Sequence, residues 1–159
     1  MNRLGIILAA VILAALVAFA WLHQRTMLAG LPPRETCENR FDALAKAGAF
    51  ARASGGMVFP VLGTGSMAPY IPAAPADVNP REWIAAYAVT VPATFADIRP
   101  GALCIYRAEW SPSVSVIHQA AQRDGDGWVM SGLHNARSEA GWRVTAGNFI
   151  GITGKVFVF

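Results

Sequence analysis

Val114-Ser115-Val116-Ile117-His118-Gln119-Ala120-Ala121-Gln122 runs into Arg123-Asp124-Gly125-Asp126-Gly127 and leaves it as Trp128-Val129-Met130-Ser131. Two apolar, β-branched runs separated by an Asp-Gly-rich turn are the local signature of a β-hairpin. Strand periodicity puts Val116 and His118 on one face and Ile117 on the other. The same texture extends both ways from Met57 to the C-terminus, with short β-branched and aromatic runs between Gly, Pro, Asn and Asp. Strands are predicted at Val58–Leu62, Ala86–Val91, Ala102–Tyr106, Val114–Gln122, Trp128–Ser131 and Ile150–Phe159. Pro60 makes the first an edge or irregular strand. Pro72 to Pro80 is a Pro/Ala-rich loop. Six short strands in about a hundred residues predict a small, mostly antiparallel β-domain over residues 57–159.

Ahead of that domain the pattern is helical. A helix is predicted from Thr36 to Ser54, with Thr36 as N-cap, Glu38 in the first turn and Gly55-Gly56 as its stop. Phe41, Leu44 and Ala45 recur at helical spacing, and Phe50 falls farther along. Residues 24–56 therefore read as a linker, ending in Pro32-Pro33, and a short helix.

Hydrophobic residues make up 54% of the 159 and charged residues 14%, too apolar for an ordinary soluble domain. The excess lies mainly from Leu4 to Leu22, without charge or proline. As a helix this stretch would be about 28 Å long, close to a bilayer core of about 30 Å. It predicts one N-terminal transmembrane helix within residues 1–23. Ala18-Phe19-Ala20 has the small-x-small form of a signal-peptide cleavage site, but the run continues through Trp21 and Leu22, which favours an uncleaved anchor. Arg3 on one side and Arg25 and Arg34 on the other give only a weak charge bias. The net charge of +3 and the lack of a basic cluster argue against nucleic-acid binding. Cys37 and Cys104 are too few for a zinc knuckle; they form either one disulfide or two separate buried thiols. No cofactor is expected.

The chemistry centres on Gly63-Thr64-Gly65-Ser66-Met67-Ala68-Pro69-Tyr70. A serine hydroxyl becomes a nucleophile only with a base in hydrogen-bond reach and an open approach. Flanking glycines allow the tight turn that exposes it. Met67 can pack down beside it, and Thr64 can place a hydroxyl near a developing oxyanion, together with the Ser66 amide. The pattern G-[ST]-G-S-M-x-P after a strand resembles the nucleophile motif of the signal peptidase I family, and more loosely that of self-cleaving repressors. The resemblance runs from about Met57 to Phe159. Ile98 to Tyr106 is similar to the family's strand-entry segment, and Gly151 to Val156 to its final strand.

That resemblance implies an acyl-enzyme serine peptidase. Neither Lys46 nor Lys155 lies where the bacterial members carry their general-base lysine; His118 does. The archaeal, endoplasmic-reticulum and sporulation-type members use histidine there, in an apolar-x-H-R pattern. Here the local sequence is Val116-Ile117-His118-Gln119. The histidine-type members also supply an aspartate shortly after a G-D-x-N segment. Gly132 and Asn135 match that segment, Leu133 replaces its aspartate, and Ser138 and Glu139 occupy the place of the catalytic acid. Glu139 is the best candidate there, with His134 as an alternative partner for Ser66. Histidine and glutamate also suit zinc, but the spacing of His118, His134 and Glu139 is not diagnostic, and no metal is expected. Ala102 replaces a second family aspartate.

The resulting expectation is a membrane-anchored serine endopeptidase, N-terminus inside, with its β-domain on the extracytoplasmic side of a bacterial-type inner membrane. Its partners would be membrane lipid and a polypeptide cleaved after small residues close to the membrane. Loss of the two aspartates leaves open an inactive domain that holds extended peptides by strand addition.

Overall fold

In the computed structural model, residues 10–18, 30–108, 111–134 and 142–159 are described, the side chains of residues 111–113 excepted. A helix, α1, covers residues 10–18. Then come β1 (Arg34–Thr36), α2 (Arg40–Ser54), β2 (Val58–Leu62), β3 (Ile84–Val91), a 3-10 turn at Phe95–Asp97, β4 (Leu103–Ala108), β5 (Ser111–Asp124), β6 (Gly127–Ser131), β7 (Arg143–Val144) and β8 (Phe149–Val158).

The strands form one sheet in the order β2-β3-β8-β4-β5-β6-β7. All neighbours on this path are antiparallel. β8 is the spine. β3 lies along one edge of it; the other edge is shared by β4, near Phe149–Ile152, and by β1, parallel, at Val156–Val158. The Asp124–Gly127 turn joins β5 to β6 as the alternation and the Asp-Gly pairs require.

The expectation of a transmembrane helix is overturned. Among the described residues no helix is long and apolar enough to cross a membrane. Residues 4–9 and 19–22 of the anticipated span lie outside the described residues.

Period-2 alternation sorts the strand side chains between distinct cores. Ala86 and Ala88 of β3, Val156 and Val158 of β8, and Leu103 and Ile105 of β4 pack with Val61, Met67, Tyr70 and Ile71. Tyr87, Val89 and Phe157 point the other way, under α2. Cys104 and Tyr106 join Ile98, Ala120, Trp128, Met130 and Val144 in a third cluster. Cys37 and Cys104 thus lie in different clusters and are free, buried thiols rather than a disulfide.

Sequence periodicity misplaced the inner face of α2. Its buried residues are Ala43, Ala47 and Ala51, spaced i, i+4, i+8, while Phe41 and Leu44 are exposed. Small side chains let the helix backbone lie close on Tyr87 and Phe157, while Phe50 packs at the margin of the contact, edge-on to Phe157. The N-cap is Asn39, whose side chain accepts from the Phe41 and Asp42 amides at 2.9 and 3.0 Å; Thr36 belongs to β1. Gly55 closes the helix at φ 70°. Both β1 and α2 are built into the sheet's packing, β1 by pairing with β8 and α2 over Tyr87 and Phe157. Ala47→Leu should therefore overpack this contact and cost about 1–3 kcal/mol, read as a lower urea midpoint at unchanged slope.

Candidate functional site

β2 delivers the chain into the Gly63–Tyr70 loop, and β5 carries His118. In the sheet order β2 and β5 are four strand spacings apart, roughly 19 Å across a flat sheet. The loop closes this gap by crossing the core face. Met67, Tyr70 and Ile71 bury there as its anchors. Gly63 is held from both sides, its amide donating to the Trp83 carbonyl at 3.0 Å and its carbonyl accepting from the Ala74 amide at 2.8 Å. A Cβ on Gly63 would lie 2.4 Å from the Trp83 ring. Gly65 takes φ 87°, a conformation side-chain-bearing residues avoid. After the serine, the Ala68–Pro69 bond is cis. Arg34 donates to the carbonyls of Pro69 and Tyr70 at 3.0 Å each. The Tyr70 hydroxyl donates to the Pro32 carbonyl at 2.6 Å. The His134 amide donates to the Ser66 carbonyl at 3.0 Å.

So held, Ser66 Oγ lies 3.1 Å from His118 Nε2 and 3.4 Å from Thr64 Oγ1. On the far side of the imidazole, Nδ1 lies 3.1 Å from the Tyr106 hydroxyl. The Trp142 ring covers His118 at a centroid distance of 4.9 Å. His118 is 2% exposed, whereas Ser66 is partly exposed and Thr64 is exposed. The serine is partly open to solvent and its imidazole partner is enclosed. Burial penalises the imidazolium and pushes the His118 pKa down to about 4.

Of the residues singled out from sequence, Ser66, Thr64 and His118 converge. Met67 is buried in the core beneath the loop, an anchor for the serine rather than a surface facing solvent. Glu139 and Ser138 lie outside the described residues, as does Asn135. His134 is exposed, and its backbone, not its ring, meets Ser66. Lys155 donates to Glu35 at 2.7 Å and lies over the Phe157 ring; Lys46 pairs with Glu35 and Asp42. Both lysines are thus committed to a network around β1, α2 and β8. Leu133 and Ala102, at the positions of the two family aspartates, pack against apolar clusters. Among the described residues no group of three or more His, Cys, Asp and Glu side chains could hold a metal.

Tyr106 and Trp142 were missed. Tyr106 had a signal: the β4–β5 register pairs Cys104 with His118 and Tyr106 with Val116. Tyr106 is therefore the diagonal neighbour of His118 on one face, within reach of a long side chain. No family model and no curated protein matches the chain.

The Gly65 conformation gives a direct test of the loop. Gly65→Ala would force a side chain into φ 87°, a cost of about 1–2 kcal/mol. A shift of about 1 Å in the serine can cost about a hundredfold in rate. The variant should stay folded by circular dichroism and lose most of its reactivity toward a fluorophosphonate.

Proposed function

We propose that this chain is a serine endopeptidase acting through an acyl-enzyme on Ser66. The observation that carries the reading is the 3.1 Å contact between Ser66 Oγ and the buried Nε2 of His118. A hydroxyl held against a neutral imidazole is the arrangement that removes its proton during attack. Ser66 Oγ bonds to the substrate carbonyl carbon while its proton passes to His118 Nε2. The carbonyl oxygen takes the negative charge near the Thr64 hydroxyl and the Ser66 amide. Collapse breaks the C–N bond, and His118 returns the proton to the leaving amine. Water then attacks the ester, with His118 again as base, and frees Ser66.

The preference for an extended polypeptide rests on β2. It ends the sheet and, among the described residues, pairs only with β3. An unpaired edge leading straight into the nucleophile is suited to hold a peptide by strand addition. Cleavage after small residues is proposed on the motif resemblance alone. The reading needs no membrane span.

The same edge would serve a non-catalytic peptide-binding domain, and Leu133 and Ala102 in place of carboxylates favour that second reading. Serine reactivity separates the two. Wild-type protein should label covalently with a fluorophosphonate at Ser66, located by peptide mass, and cleave an Ala-x-Ala reporter; Ser66→Ala should do neither. Folded wild type that neither labels nor cleaves would leave the binding domain.

A further inference from the structure

We infer that Tyr106 is a positioning residue of this site, its hydroxyl accepting the Nδ1 proton of His118 and so holding Nε2 free to receive the proton of Ser66. This rests on the reading of His118 as the base and names what aims it.

A neutral imidazole carries one proton, and its two tautomers are not equivalent here. With the proton on Nδ1, Nε2 has a lone pair directed at Ser66 Oγ, 3.1 Å away. With the proton on Nε2, His118 would donate to the serine instead, and the pair would be hydrogen-bonded but inert. A phenol at Nδ1 can accept from it or donate to it; in the arrangement inferred it accepts, because the donating arrangement would leave Nε2 protonated against Ser66. Nδ1 is enclosed with a residue only 2% exposed, where an Nδ1–H without an acceptor would be disfavoured. Tyr106 Oη lies 3.1 Å from it. Tyr106 is itself 2% exposed and fixed by packing with Ile98, Cys104, Trp128 and Met130, so its oxygen is held in place by the core of the sheet.

The hydrogen bonds then run in one direction. Thr64 donates to Ser66, Ser66 to His118 Nε2, and His118 Nδ1 to Tyr106, across contacts of 3.4, 3.1 and 3.1 Å. During attack the Ser66 proton crosses to Nε2, the Nδ1 proton stays in place, and the phenol oxygen remains its acceptor. A neutral phenol can share the orienting role commonly given to a carboxylate. The β4–β5 register sets this geometry, since any one-residue slip would turn Tyr106 to the opposite face.

The test is side-chain nitrogen NMR of uniformly 15N-labelled full-length protein at neutral pH. The His118 signals are assigned by their loss in His118→Gln. Wild type should show Nδ1 protonated and Nε2 unprotonated. Tyr106→Phe, which keeps the ring and removes the acceptor, should shift His118 toward the Nε2–H form. It should also slow fluorophosphonate labelling of Ser66 by roughly ten- to a hundredfold with the circular dichroism unchanged. An Nε2–H tautomer in wild type, or one that Tyr106→Phe leaves unaltered, overturns the inference. The tautomer is read without turnover, so it decides the role of Tyr106 even if Ser66 proves unreactive. That last result would overturn only the peptidase reading.

Discussion

His118→Ala should slow covalent labelling of Ser66 by roughly three orders of magnitude, within the range for loss of a general base. Without the imidazole, the serine keeps its loop, its exposure and the Thr64 hydroxyl. What it loses is the acceptor 3.1 Å from Oγ. Residual reaction would come from whatever stabilises the developing oxyanion, which works independently of the base. The substitution also empties space between Tyr106 and Trp142, which flank the ring. His118→Gln is therefore the companion variant: it fills more of the space and retains polar atoms. Both should keep the wild-type circular dichroism spectrum and differ from it in rate. Wild-type labelling in both would remove His118 from the mechanism. The lysines would offer no ready replacement, since Lys155 and Lys46 are engaged by Glu35 and Asp42.

The elements of this site were unequally legible in the sequence. Ser66 was readable because its neighbours are constrained by chemistry that leaves a local trace. Gly63 must admit the Trp83 ring and Gly65 must adopt a positive φ, so glycine stands at both positions. His118 was picked out through the resemblance of Val116 to Gln119 to the histidine-type peptidases, not by strand alternation, which marks a lone histidine only as one face of a strand. Tyr106 was not singled out because its role exists only across a strand pair. Its own strand reads as ordinary alternating core, and register is a tertiary property. The search for a third group among Ser138, Glu139 and His134 followed sequence order, and Ser138 and Glu139 lie outside the described residues; Tyr106 Oη, 3.1 Å from Nδ1, comes from β4, twelve residues before His118.

The fold shows the same division. The spans of β2 to β6 and β8 follow from local β texture and turn residues. β1 and β7, of three and two residues, carry no periodic signal and exist through pairing with β8 and β6. In α2 the largest apolar residues suggested the inner face, yet close approach to Tyr87 and Phe157 selected alanines. Hydrophobicity ranks transfer from water, while this contact is decided by volume. The N-terminal apolar run was weighed by composition and length alone, and the described helix covers residues 10–18.

The pH dependence should depart from that of an exposed histidine. An unperturbed imidazole titrates near about 6.5, so sequence alone would place the acid limb of activity at about 6 to 7. Burial lowers the His118 pKa to about 4. The base form is the neutral one, so the Ser66 labelling rate should hold level from neutral pH down to about pH 5. It should then fall about tenfold per unit below about pH 4. Stability moves in the same direction but over a different window. Above about pH 6.5 both folded and unfolded chains carry neutral His118, and burial costs nothing in protonation. Between about 6.5 and 4 the unfolded chain takes up a proton that the folded chain refuses. Folding thus loses up to about 3 kcal/mol through that interval and levels off for this group below it. The lowered pKa values of Glu35, Asp42 and Asp97, caused chiefly by hydrogen bonds from Lys155, Lys46 and the Thr94 amide respectively, extend the acid loss to lower pH. Activity and fold must therefore be followed together, by initial labelling rate and circular dichroism on the same samples. Trp142→Ala supplies the control, because removing the ring 4.9 Å from the imidazole lets water in. The acid limb should then move up toward about 6.5. A wild-type limb already at about 6.5, in protein that stays folded, would mean that His118 is solvated in solution. The buried-base account would then fail, because that account rests on desolvation of the imidazole.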